Sequence, residues 1–343
     1  MLTPRENALI AYKCGVPEDI PCFFTDFALG QVCPRLERPW PVPDGYDAWG
    51  VHWVYEKGAN AGIPEPGRYL FEDICDWRDA VQFPDLDAID WEKESEIDKK
   101  SSWLALPPGA SDHIEEYISD KLRMCLCING MFERLHEFMG FENALIAIAS
   151  EPEECYDFFG AIADYKIRYY EKIARYYDFD VLECHDDYGS QDRLFMSPET
   201  WRKLIKPHLK RIVDAVHDLG LIYQHHSCGH IEPLIEDFIE LKMDAVDTWQ
   251  FACNPHIAEI KKKYQDKICF IGCMDNTNIL DNLDATPEMI KEEYRRTADT
   301  IAIGGSYIMF PVTATFGFVP SLVEEHFRYG KGFYADPNHR IRV

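Results

Sequence analysis

Leu221-Ile222-Tyr223-Gln224-His225-His226-Ser227-Cys228-Gly229-His230 reads as an apolar strand running into a polar turn, and the rest of the chain is read outward from it. Side chains alternate across a strand, so His226 and Cys228, two apart, project from one side at its end. The same strand-then-helix unit recurs on both sides of this stretch. Ser197-Pro198-Glu199 opens a helix whose apolar positions Trp201, Leu204, Ile205, Ile212, Val216 and Leu219 fall at helical spacing. Pro207 predicts a kink in it and Gly220 its end. Upstream, Ser150-Glu151-Pro152-Glu153 reads as a capping box for a long amphipathic helix to about Tyr177, with a strand over 180–185 behind it.

Downstream the spacing predicts a helix at 231–241, a strand at 245–249, a helix near 255–264 and a strand at 268–273. Thr286 then caps a helix that Gly304-Gly305 ends, a short strand covers 307–310, and Ser321 caps a last helix. Serial alternation of this kind implies a parallel sheet with right-handed crossovers. With a strand near 124–128 and others around 22–24 and 68–71, the count approaches eight. The expectation is an α/β fold, a TIM-type (β/α)8 barrel spanning 1–343 as one domain. The segment 30–110, rich in Pro, Gly, Trp and Asp with weak periodicity, predicts long loops decorating the barrel. No Gly-rich phosphate-binding pattern follows any strand.

Charge narrows the partners. Among 343 residues there are 60 Asp and Glu against 35 Lys and Arg, a net charge of -25, and no basic run is present to neutralise phosphates. Nucleic acid and anionic membrane are excluded on that ground. No apolar run approaches the roughly 20 residues of a membrane span, and the first residues lack the apolar core of a secretory signal. Twelve scattered cysteines read as reduced thiols in a chain of this size. A cytoplasmic protein is expected.

In a barrel the chemistry gathers where strands end. His226 and Cys228 offer imidazole and thiolate, a pair suited to Zn²⁺ and poorly suited to Mg²⁺ or Ca²⁺. Cys273, at the end of a strand two places away, is the favoured third ligand and completes a His-Cys-Cys set with an open fourth position. Glu183 and His185, two apart on their own strand, compete for that role. Asp186 and Asp187 are adjacent carboxylates at a strand end, so one of them faces the cleft as a general acid or base or as a ligand-orienting group, while loop capping is the bland alternative. Cys125 and Cys127 read as core. Phe23, Phe24, Phe27, Trp49 and Trp53 either line a flat apolar pocket or pack the interior.

The run from His226 to Ile235, with Asp244-Ala245-Val246-Asp247 beyond it and Asp186-Asp187-Tyr188-Gly189-Ser190-Gln191 before Ser197-Pro198-Glu199, resembles the uroporphyrinogen decarboxylase superfamily and, within it, the corrinoid-dependent methyltransferase branch. The resemblance implies a TIM barrel whose H-x-C pair and a third ligand hold zinc while a methyl group moves to or from cobalt. It further implies a separate corrinoid protein as partner, since no corrinoid-binding segment is recognisable here, and a small methoxylated, aromatic substrate that is O-demethylated. In the coenzyme M methyltransferases the third ligand is a cysteine after the last strand, whereas the stretch 310–315 contains none. That departure weighs against the alternative of a methylcobalamin:thiol methyltransferase. The other alternative is a uroporphyrinogen-type decarboxylase, whose arginine-rich N-terminal segment is only echoed by Pro66-Gly67-Arg68-Tyr69-Leu70. A zinc-stabilised binding protein would instead require four protein ligands.

Overall fold

The computed structural model describes residues 2–39, 44–57, 61–101, 103–104, 106, 110–311 and 317–342. In chain order its strands are β1 (Phe27–Gly30), β2 (Gly45–Tyr46), β3 (His52–Glu56), β4 (Ala61–Pro64), β5 (Trp103–Leu104), β6 (Leu122–Cys127), β7 (Val181–His185), β8 (Ile222–Ser227), β9 (Ala245–Thr248), β10 (Cys269–Ile271) and β11 (Tyr307–Ile308). Eight of them form one sheet in the order β11-β10-β9-β8-β7-β6-β1-β5. Every neighbouring pair from β11 to β1 is parallel, and β5 joins β1 antiparallel. The sheet curls. A lone parallel bridge between Cys22 and Met309 ties the chain just before β1 to the end of β11, through Phe23 N to Met309 O at 2.9 Å and Met309 N to Pro21 O at 2.8 Å.

This is a TIM-like α/β fold built on a curled, mostly parallel sheet, and it differs from the expected barrel at its first strands. Phe23–Asp26 is a short helix, with the strand following at Phe27. Residues 68–71 form no strand. Within 30–110 the chain is more than loops: β2, β3 and β4 make a small antiparallel sheet, and a helix spans Trp91–Ser101. Helix boundaries follow local chemistry. Ser197 accepts from Thr200 N and Thr286 from Met289 N, as their caps predict. Ahead of Pro207 the helix breaks at Ile205 into Pro198–Leu204 and Lys206–Asp218. Ser150 is no cap, because the helix Phe141–Ser150 already runs through it, and Ser321 lies inside the helix Val319–Glu325.

The two faces of the sheet are packed differently. Leu182, Tyr223, Val246 and Phe270 point outward into the layer shared with the helices, where Cys125 and Cys127 are also buried. On the inner face Leu122, Met124, Val181, Ala245, Cys269, Ile271 and Ile308 pack with Phe23, Phe27 and Phe310 and with Ala8, Ala11 and Tyr12 of the N-terminal helix Pro4–Tyr12. The inner residues are apolar where β7 and β9 begin, at Val181 and Ala245, and polar where they end, at Glu183, His185 and Asp247. Alternation thus fills one end of the curl with a dry core and leaves the other for chemistry.

Candidate metal centre

Parallel register sets His185 of β7 beside His226 of β8, and His226 beside Asp247 of β9. His226 is the hub. Its Nδ1 lies 2.5 Å from Asp247 Oδ1, and its ring stacks on that of His185 with centroids 3.9 Å apart. Its Nε2 faces Cys228 Sγ at 3.4 Å and Asp187 Oδ1 at 3.7 Å. A carboxylate oxygen accepts here, so Asp247 keeps a proton on Nδ1, and Nε2, turned towards the thiol and Asp187, is the nitrogen that an ion would bind in place of a proton. This is the carboxylate–histidine arrangement that orients metal-binding imidazoles. Asp247 Oδ2 accepts from Gln224 Nε2 at 2.5 Å, and Gln224 Oε1 accepts from the Tyr12 hydroxyl at 2.5 Å. A hydrogen-bonded chain therefore links the N-terminal helix to the hub.

Two sets of donor atoms, each within 4.8 Å of one another, share His226: Asp187 with Cys228, and Glu183 with His185. His185 Nε2 lies 3.5 Å from Glu183 Oε1. Both His185 Nε2 and Glu183 Oε2 are buried without a hydrogen-bond partner, a state that costs about 1–3 kcal/mol per group and leaves two polar atoms beside His226 able to take one. The residues fit zinc. With Zn–N at about 2.0–2.1 Å and Zn–S at about 2.3 Å, tetrahedral geometry requires a nitrogen–sulfur separation of about 3.6 Å, close to what His226 and Cys228 present.

Burial and charge set the protonation states. Burial pushes Glu183 well above the usual carboxyl range, with the Asp247 charge adding to it. Burial pushes His185 well below an ordinary imidazole, helped by His226, so it is neutral. Burial alone would strip His226 of its proton, but Asp247 and Cys228 outweigh it and raise its proton affinity well above the ordinary value. Asp187 is pushed up to about 6 by burial and by the Glu133 charge.

The adjacent aspartates divide as their opposite directions predict. Asp186 accepts from the backbone N–H groups of Met131, Phe132 and Glu133 at 3.1, 3.0 and 2.9 Å, which open the helix Met131–Met139, and from the Tyr188 hydroxyl at 2.9 Å. Its carboxyl, raised to about 8 by burial and by Glu133 against the pull of these donors, is committed to capping that helix. Asp187 is the partner that faces the hub.

Cys273 does not join Cys228 in a donor set, contrary to the strand-end expectation. β10 stops at Ile271, and Gly272 and Cys273 both turn left-handed, with φ of 86° and 61°. The alternation breaks there, Cys273 packs into the helix-side core, and among the described residues it joins neither donor set. Of the stretch 310–315, where the resemblance places a third cysteine in the coenzyme M methyltransferases, residues 312–315 lie outside the described residues. The aromatic residues pack: Phe23 stacks on Phe310 at 4.0 Å, while Trp49 and Trp53 are buried with their indole N–H groups bonded to Leu36 O and Asp47 Oδ2. Sequence reasoning quoted Asp247 without giving it a role and missed Gln224 and Tyr12. The only local signal was an in-phase aspartate near the end of an apolar strand.

A mostly parallel βα sheet that brings imidazole, thiol and carboxylate groups together where its strands end defines an α/β protein with a group of side chains that could hold a metal ion. A family model described as Uroporphyrinogen decarboxylase (URO-D) matches residues 117–320, and the chain belongs to that family. No curated protein matches the sequence. Among solved structures, a methyltransferase from Methanosarcina mazei superposes with a TM-score of 0.64 at 14% identity, covering 97% of this chain and 100% of that one. A uronate isomerase from Bacillus halodurans C-125 reaches a TM-score of 0.34 at 11% identity, over 67% of this chain and 55% of that one. The likeness to the Methanosarcina mazei protein, at 14% identity, concerns the fold.

Proposed function

We propose that this chain is a zinc-dependent methyltransferase that moves a methyl group from a small methoxylated donor, an aryl methyl ether being the expected kind, to the cobalt of a separate corrinoid protein. The observation that carries this reading is the convergence of His226 Nε2, Cys228 Sγ and Asp187 at a strand end, with Asp247 fixing the histidine from behind. Family membership and the fold shared with a protein described as a methyltransferase support it. Zinc held there would supply Lewis acidity to the oxygen from which the methyl group departs.

The remaining work falls to the chain's own side chains. Asp247 holds the imidazole in one tautomer and one orientation. Glu183, kept protonated by burial and by its neighbour Asp247, carries a proton beside His226 for an oxygen that gains negative charge. Its unpartnered Oε2 and His185 Nε2 offer polar contacts to the donor. Asp186, tied to its helix cap, holds the loop that presents Asp187.

The test is to mix zinc-loaded protein with a reduced corrinoid partner and a panel of methoxyaromatics. The cob(I)alamin absorption should convert to that of methylcob(III)alamin, and only with zinc present. No conversion across a broad panel with the cognate partner, or an equal rate after Cys228→Ala, refutes the proposal. A chelator melt separates this from a structural role, because removing the ion should leave a fold with so large a core standing.

A further inference from the structure

We infer that Asp187 is the third protein ligand of the metal, so that one nitrogen, one sulfur and one oxygen hold it and the methyl donor is bonded through oxygen. The inference rests on the reading of this cluster as a metal site and goes on to name its ligands and the substrate class they suit. Geometry comes first. Tetrahedral zinc with Zn–O at about 2.0–2.2 Å sets nitrogen and oxygen ligands about 3.4 Å apart, and Asp187 Oδ1 lies 3.7 Å from His226 Nε2.

The carboxylate is already positioned for the task. Its Oδ1 accepts from the backbone N–H of Cys228 at 2.6 Å, so the residue that brings the thiol also fixes the angle of Asp187. Oδ2 has no hydrogen-bond partner among the described residues, and the Asp187 side chain is 35% exposed whereas that of His226 is 4% exposed. The open side of the cluster therefore lies at Asp187, where a substrate can reach a fourth position.

The competitors fail for separate reasons. Cys273 is turned into the helix-side core by the left-handed pair at 272–273. Glu183 groups with His226 and His185 but not with Cys228, and its side chain is 1% exposed on the inner face, so an ion drawn to it would forgo the thiolate.

The donor set has a chemical consequence. One thiolate and one carboxylate balance the charge of a divalent ion, as two thiolates would, but the oxygen ligand is harder and donates less electron density. The ion stays the stronger Lewis acid, which suits polarising an ether or alcohol oxygen and suits raising the nucleophilicity of a thiol less well.

The experiment uses the whole chain with metal alone. Zinc affinity is measured by competition with a chromophoric chelator, and cobalt(II) is substituted to read sulfur-to-metal charge transfer in the near ultraviolet. Asp187→Asn, which keeps an oxygen to accept from Cys228 N–H, should weaken zinc binding by about tenfold or more, whereas Glu183→Gln and Cys273→Ser should stay within about threefold. The charge-transfer band should vanish in Cys228→Ser, persist undiminished in Cys273→Ser, and grow in Asp187→Cys, which adds a thiolate at the same place and reads the position independently of any loss of folding in Asp187→Asn. Full zinc affinity in a folded Asp187→Asn, a weakened band in Cys273→Ser, no gain in Asp187→Cys, or a wild-type chain that binds neither ion overturns the inference. Metal binding that behaves as stated in a protein inactive in methyl transfer counts against the proposed function alone.

Discussion

Replacing Asp247 by Asn changes one atom and should disable the hub. Asp247 accepts at both oxygens, from His226 Nδ1–H and from Gln224 Nε2–H, each at 2.5 Å. An amide can accept at only one of these positions. If its oxygen faces His226, its NH₂ meets the NH₂ of Gln224, and Gln224 is held from turning over because its own oxygen accepts from the Tyr12 hydroxyl. If its NH₂ faces His226 instead, Nδ1 must accept, the proton moves to Nε2, and the lone pair aimed at Cys228 and Asp187 is lost. Either outcome removes the negative charge behind the imidazole. Loss of such a partner lowers metal affinity by about 10–100-fold, or about 1.4–2.7 kcal/mol. Competition titration of zinc reads the affinity, and ¹⁵N chemical shifts of the histidine ring read the tautomer. Wild-type affinity together with a proton still on Nδ1 would refute the reasoning.

Three further predictions concern the scaffold. Asp186→Ala strips the cap from three buried backbone N–H groups of the helix Met131–Met139 and should cost about 2 kcal/mol or more in a denaturant melt; a change below about 0.5 kcal/mol would make the cap dispensable. Arg134 is fully buried among Glu37, Asp47 and Glu137; Glu37 keeps Lys166 and Asp47 keeps its N–H donors when it is removed, but Glu137 loses its partner, so Arg134→Met should destabilise by about 3 kcal/mol, and an unchanged denaturation midpoint would contradict this. Burial lowers Lys261 from 10.5 to about 8. Below pH 8 the amine is charged in both folded and unfolded chains and its burial penalty is constant; between pH 8 and 10.5 the folded chain loses the proton first, so the wild type gains stability. Lys261→Met should therefore be the more stable protein at pH 7, by up to about 3 kcal/mol, with the gap closing as pH rises past 10; a gap independent of pH would dismiss the cause.

How much was legible in the sequence depended on how far apart the deciding residues lie. Each strand from β6 to β11 and the break before Pro207 follow from patterns within a few residues. So do the caps at Ser197 and Thr286 and the shared side of His226 and Cys228, because periodicity and hydrogen bonding to the next turn are local properties. The division of labour between Asp186 and Asp187 was legible only as two opposite directions. Which aspartate caps a helix and which meets the histidine was decided by a segment some 55 residues away, the N-terminus at Met131. The pairing of Asp247 with His226, and of Tyr12 with Gln224, depends on strand register and on where the N-terminal helix docks, and no window of sequence contains either. Cys273 shows the same limit from the other side. The period of two placed it beside Cys228, but two consecutive left-handed residues end that period, and their N–H groups are bonded to Ile308 O and Thr248 O of the flanking strands. The sequence by itself thus determined which elements form and which side chains share a strand face. The tertiary structure decided which of those faces meet, since contacts between distant segments are selected by the packing of the whole sheet and not by any one stretch of it.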